Sequence, residues 1–105
     1  YHLIDQVKIL VKQNLATDEA SITNIAARLH MSERTLQRRL ASHEYNFRSL
    51  TEDCRQELAL DYVPNSDLSL TDISHLLGFS NYNNFARAFK RWTGSSPKSY
   101  QSSNT

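Results

Sequence analysis

Apolar residues recur along most of this chain at the spacing of one helix face. Ile22, Ile25, Ala26 and Leu29 follow Ser21 at i, i+3, i+4 and i+7, and Leu70, Ile73, Ser74 and Leu77 follow Ser69 at the same steps. Both runs open on a serine suited to cap a first turn, with Thr23 a second candidate in the first run. They stop at His30-Met31-Ser32 and at Gly78-Phe79-Ser80. Gly78 suits the left-handed residue that ends a helix, and the serine after it can cap the next helix. His30 fills the same place at a steric cost. A second rhythm follows each stop. Leu36, Leu40 and His43 share one side of a helix predicted over Glu33–His43, and Phe85, Phe89 and Trp92 share one side of another. Between them Leu50, Cys54, Leu58 and Tyr62 stand at successive steps of four, beside Ala59, Leu60 and Val63. This predicts one long helix from Phe47 that stops before Pro64.

The two runs are copies of one unit. Ser21, Thr23, Ile25, Leu29 and Ser32 are repeated as Ser69, Thr71, Ile73, Leu77 and Ser80, 48 residues further on. One extra residue in the second copy then brings Leu36, Arg38 and Leu40 over Phe85, Arg87 and Phe89. A helix, a tight turn and a second helix form the helix-turn-helix signature. The expected fold is therefore all-α, with a first helix-turn-helix subdomain over 1–48, a long linker helix over 49–63 and a second subdomain over 64–105. Composition agrees. Two Gly and two Pro in 105 residues starve the chain of the turns that many short strands need, and 39% hydrophobic residues suffice for a core.

Charge adds information only when divided along the chain. Lys and Arg number 12 against 11 Asp and Glu, a net +1 that by itself argues against a nucleic-acid binder. Residues 1–27 carry Lys8 and Lys12 against Asp5, Asp18 and Glu19, a net −1. Residues 28–48 carry five Arg against Glu33 and Glu44, a net +3. Residues 49–77 hold Arg55 against Glu52, Asp53, Glu57, Asp61, Asp67 and Asp72, a net −5. Residues 78–105 hold Arg87, Lys90, Arg91 and Lys98 with no acid, a net +4. Two basic blocks thus sit on the repeated units and flank an acidic one.

The outward faces of the second helices give those blocks a chemical use. At 100° per residue Arg34, Gln37, Arg38 and Ala41 lie opposite the apolar side of the first. Asn83, Arg87 and Lys90 lie opposite that of the second, flanked by Asn84 and Arg91. Arg donates two hydrogen bonds to guanine O6 and N7, and Asn or Gln pairs bidentately with adenine, in a major groove wide enough for one helix. Arg28, Arg39, Lys90 and Arg91, with the hydroxyls of Ser32 and Ser80, are assigned to phosphates, which position without reading sequence. A linker of about 15 residues spans about 22 Å. Successive major grooves on one face repeat every ~34 Å, so the expected target is an asymmetric pair of half-sites about one turn apart, usually bent.

Read together, Ile22-Thr-Asn-Ile-Ala-Ala-Arg-Leu29, Ser32-Glu-Arg-Thr-Leu-Gln-Arg-Arg-Leu40 and the stretch Gly78 to Tyr100 resemble the DNA-binding domain of the AraC/XylS transcription regulators. The last stretch is the most specific, because Gly-Phe, Phe-x-Arg-x-Phe-Lys and Gly-x-Ser-Pro-x-x-Tyr occur in order at family spacing. The resemblance implies seven helices and two recognition helices in successive major grooves. It puts base reading on Arg34, Gln37 and Arg38, and on Asn83, Asn84 and Arg87. It also implies an activator that touches RNA polymerase and a separate effector or dimerisation domain, typically N-terminal. Tyr1 in place of Met fits a fragment of such a regulator, acting in the cytoplasm at the nucleoid. Three places depart from the pattern: His30 and Ser74 stand where Gly and Ala are common, and Glu44-Tyr45-Asn46 where a Gly commonly ends the first recognition helix. Asn46 is expected to take the left-handed conformation there.

Other chemistry finds no support. His2, His30, His43 and His75 are not at metal-ligand spacing, and Cys54 is the single cysteine, so no metal, cofactor, disulfide or catalytic set is expected. No stretch approaches the ~20 apolar residues of a membrane span. Trp92, Phe85, Phe89 and Tyr100 at helical spacing read as core. The competing reading is a helical protein-interaction module that keeps this architecture and acts through its acidic linker.

Overall fold

The computed structural model describes residues 2–17 and 19–103, so that Asp18 of the charge pattern lies outside the described residues. Seven α-helices follow one another without a strand among the described residues: α1 (His2–Asn14), α2 (Ile22–Arg28), α3 (Glu33–Ser42), α4 (Phe47–Asn65), α5 (Leu70–Leu76), α6 (Tyr82–Thr93) and α7 (Pro97–Ser103). A short 3-10 turn, Leu15–Thr17, ends α1. The chain forms two compact units, Tyr1–Cys54 and Arg55–Thr105, so that α4 contributes its first part to one and its remainder to the other.

In the first unit α1 buries Val7 and Val11, and α2 and α3 bury Ile25, Ala26, Leu36 and Leu40. Leu50 and Cys54 are the buried apolar residues of α4 on this side of the boundary. The buried polar groups are satisfied locally: Asn14 Nδ2 donates to the Leu10 carbonyl at 2.7 Å and Thr51 Oγ1 to that of Phe47 at 2.9 Å. The second unit closes on Ala59, Val63, Ile73, Leu77, Phe85 and Phe89, with Phe79, Trp92 and Tyr100 packed against them. Its rings meet edge to face, Phe89 and Tyr100 at 5.2 Å and Phe85 and Phe89 at 5.7 Å, an arrangement that favours aromatic pairs. Pro97, buried at the first position of α7, follows Ser96, whose Oγ accepts from the Ser99 amide.

Several local expectations are corrected. α4 does not stop before Pro64 but runs through it to Asn65. In the last turn a missing N–H costs one bond only, and the Ser66 amide still reaches the Tyr62 carbonyl at 2.9 Å. The stripe of steps of four breaks as well: the buried apolar residues are Leu50 and Cys54, then Ala59 and Val63, with Leu58 and Tyr62 half-buried. A helix that serves two cores need not keep one apolar face. α3 ends at Ser42, with His43 as an exposed C-cap rather than part of its apolar side. The left-handed residue after it is Glu44 (φ 63°), not Asn46. Asn46 instead caps α4, its Oδ1 accepting from the Ser49 amide at 2.8 Å.

Candidate nucleic-acid interface

Each unit builds its exposed helix in the same way. Ser21 and Ser69 cap α2 and α5, accepting from the Asn24 amide at 3.2 Å and the Asp72 amide at 3.1 Å. Both helices then end in a left-handed residue, His30 (φ 58°) or Gly78 (φ 85°). The next amide turns back onto the helix, Met31 to the Ala26 carbonyl and Phe79 to that of Ser74, each at 3.0 Å. The turn therefore closes with its carbonyls satisfied, and the following helix leaves in a fixed direction. Ser74 is buried and donates its hydroxyl to the Thr71 carbonyl at 2.6 Å.

The starts of the two exposed helices differ. Ser32 caps α3 through the Thr35 amide at 3.1 Å, as expected. In the second copy the cap is not Ser80 but Asn81, whose Oδ1 accepts from the Asn84 amide at 2.9 Å. The extra residue of the second copy enters here and starts α6 one residue later. Ser80 is thereby released from capping and accepts from Asn84 Nδ2 at 3.0 Å.

On α3, Leu36 and Leu40 are fully buried, while Arg34, Gln37, Arg38 and Arg39 are exposed. A solvent-open hollow of about 330 Å³ is lined by Thr35, Arg38, Arg39 and Ser42. Ser32 is exposed at the start of the helix. Arg28, at the end of α2, is paired with Glu19 at 3.7 Å, and both side chains are about half exposed, 49% and 55%. A pair this open contributes little to stability.

On α6, Phe85, Ala88 and Phe89 are buried, and Asn83, Arg87, Lys90 and Arg91 are exposed. Asn84 is half-buried, and its Oδ1 accepts from Arg87 Nη2 at 2.9 Å. Sequence reasoning put Asn84 beside Arg87 but did not find this bond; the 80, 84, 87 spacing is the signal that carries it. It also missed Arg55. That side chain donates through Nε to the Leu77 carbonyl at the end of α5, 3.0 Å, and lies 5.3 Å from the centroid of the Phe79 ring. The single base of the acidic block thus braces the turn of the second unit.

A row of Arg, Gln, Asn and Lys side chains on the outer face of a helix, with its inner face locked into a core, fits a groove-reading surface. The chain is similar to known transcriptional regulators. The helix-turn-helix domain family matches residues 25–103. The ornithine utilization regulator of Pseudomonas aeruginosa is 39% identical over 84 residues, 80% of this chain and 25% of that regulator. Among solved structures, a DNA-binding transcriptional dual regulator from Escherichia coli K-12 superposes with a TM-score of 0.88 at 24% identity, over 97% of this chain and 91% of that one, a likeness of fold. The DNA-binding domain of AdpA, a global transcriptional factor solved in complex with a target DNA, superposes with a TM-score of 0.76 at 26% identity, over 95% of this chain and 90% of that one. The chain spans about a quarter of the length of the curated relatives it matches, 25% and 28% for two of them. By its two helix-turn-helix units and by the match across most of its length, the chain belongs to the AraC-type helix-turn-helix family of bacterial transcriptional regulators, as a DNA-binding domain.

Proposed function

We propose that this domain binds promoter DNA sequence-specifically by laying α3 and α6 into successive major grooves, each subdomain reading one half-site and the stretch 49–63 joining them. The reading rests on one observation: two copies of the same unit each bury one face of their second helix and expose an amide- and arginine-rich face on the other. Arg34, Gln37 and Arg38 read bases from α3, and Asn83 and Arg87 do so from α6, with Asn84 between them. Arg28, Ser32, Arg39, Ser80, Lys90 and Arg91 hold phosphates and set the register. The domain catalyses nothing. It works in the cytoplasm as part of a longer regulator, beside an effector or dimerisation domain, and activates transcription by touching RNA polymerase.

In-vitro selection of binding sites from random duplexes, followed by titration over a salt series, tests this. The expected product is an asymmetric site of two half-sites about one helical turn apart, with log K falling steeply against log salt. Arg38→Ala and Arg87→Ala should each cost about 1–3 kcal/mol and relax preference at one position of a different half-site. Selection that enriches no sequence, or hydroxyl-radical protection of a single groove, overturns the two-groove reading.

A further inference from the structure

Resting on that reading, we infer that Asn84 is a positioning residue that holds the Arg87 guanidinium for the base, and is not itself a base reader. An asparagine pairs with adenine through both ends of its amide. Here both ends are engaged locally: Oδ1 accepts from Arg87 Nη2 at 2.9 Å and Nδ2 donates to Ser80 Oγ at 3.0 Å. The orientation is dictated by chemistry, because a guanidinium carries donors only and must face the amide oxygen, which turns the amide nitrogen toward the serine. The backbone is fixed as well, the Asn84 amide donating to Asn81 Oδ1 at 2.9 Å. Asn84 is half-buried, whereas Asn83 and Arg87 are exposed on the outer face. Ser80, Asn84 and Arg87 therefore form a chain that ends in an aimed arginine, whose freedom is already restricted before DNA arrives.

The first unit lacks this device. The residue aligned with Asn84 is Thr35, and its Oγ1 accepts from Ser32 Oγ at 2.9 Å. The link to the serine is kept, but no amide oxygen is present to hold Arg38. Arg87 is thus the pre-aimed reader of the pair and Arg38 the adaptable one.

The test uses the intact chain and two measurements. The first is the base-preference profile of the selected site for Asn84→Ala, Asn84→Asp, Arg87→Ala and the Asn84→Ala/Arg87→Ala double variant, each confirmed folded by thermal unfolding. Asn84→Ala should lose roughly 5- to 50-fold discrimination at the position that Arg87→Ala affects, and the double variant should be no worse than Arg87→Ala there. Asn84→Asp keeps an acceptor for the guanidinium and should retain that preference while binding all sequences more weakly. The second measurement is the NMR relaxation of the Arg87 Nε–H without DNA, expected to be more mobile in Asn84→Ala than in wild type. Loss at a separate adenine position that Arg87→Ala leaves alone, with additive losses in the double variant, would overturn the inference, as would unchanged Arg87 mobility. An unaffected profile in Arg87→Ala overturns the base-reading assignment of Arg87 and this inference with it, and is told apart because the mobility difference then stands alone.

Discussion

Among the described residues, four hold backbone angles of the left-handed region, and two of them are not glycine: His30 (φ 58°) and Glu44 (φ 63°) stand beside Gly78 (φ 85°) and Gly94 (φ 83°). A side chain in that region meets its own carbonyl, at a cost of about 1–2 kcal/mol. His30→Gly should therefore stabilise the first unit, by about 0.5–1 kcal/mol once the extra freedom of the unfolded glycine is set against the relief. A thermal midpoint raised by a few degrees checks it; a lower midpoint would mean that the imidazole makes a compensating interaction. Gly94→Ala should act in the opposite sense, costing about 1 kcal/mol. A Cβ there meets nothing within 4 Å, so that loss would be conformational and not steric crowding. The strain at His30 was legible in the sequence because the repeat aligns it near Gly78. The choice of Glu44 over Asn46 was not, since it depends on where α3 ends and on the demand of α4 for an Asn46 cap.

At the scale of elements, the helix pairs were legible because the caps Ser21, Ser32 and Ser69 agree with the i, i+3, i+4, i+7 positions, while the shift of the fourth cap from Ser80 to Asn81 was not. α4 was legible as one long helix from Phe47, but neither its run through Pro64 to Asn65 nor the faces it buries were. Its sequence sums the needs of two cores, and a single periodicity cannot separate Leu50 and Cys54 from Ala59 and Val63. The same helix carries Arg55, which the charge pattern marked only as the single base of the acidic block. Its bond to the Leu77 carbonyl and its approach to Phe79 tie α4 to the turn that launches α6. Arg55→Ala should cost about 1–3 kcal/mol of stability, because it removes a charged hydrogen bond and a cation–π interaction together at a half-buried position. Arg55→Lys keeps a charge but not the planar donor, and should recover less than half of that. Urea unfolding distinguishes the two. Equal stability of Arg55→Ala and wild type would leave Arg55 without a bracing role.

For the whole molecule the distribution of charge matters more than its sum. The net +1 combines basic blocks on the two repeated units with the −5 of residues 49–77 between them. Each cation near a phosphate releases counterions and tightens binding to any sequence, and each acid opposes this over a Debye length of about 10 Å at 0.1 M salt. The acidic block should thus hold down indiscriminate binding while the outer faces of α3 and α6 keep their local positive potential. Asp53→Asn/Asp61→Asn raises the net charge from +1 to +3 without altering side-chain shape, and Asp61 is exposed on α4. Affinity for random-sequence duplex should rise by roughly 2- to 10-fold at low salt, the difference fading as salt is raised, because screened surface charge is its only source. The base-preference profile should stay as it was, so the ratio of specific to non-specific affinity should fall. If random-sequence affinity does not move while binding to RNA polymerase disappears, the acidic face of α4 is a partner surface and not a guard against misplaced binding.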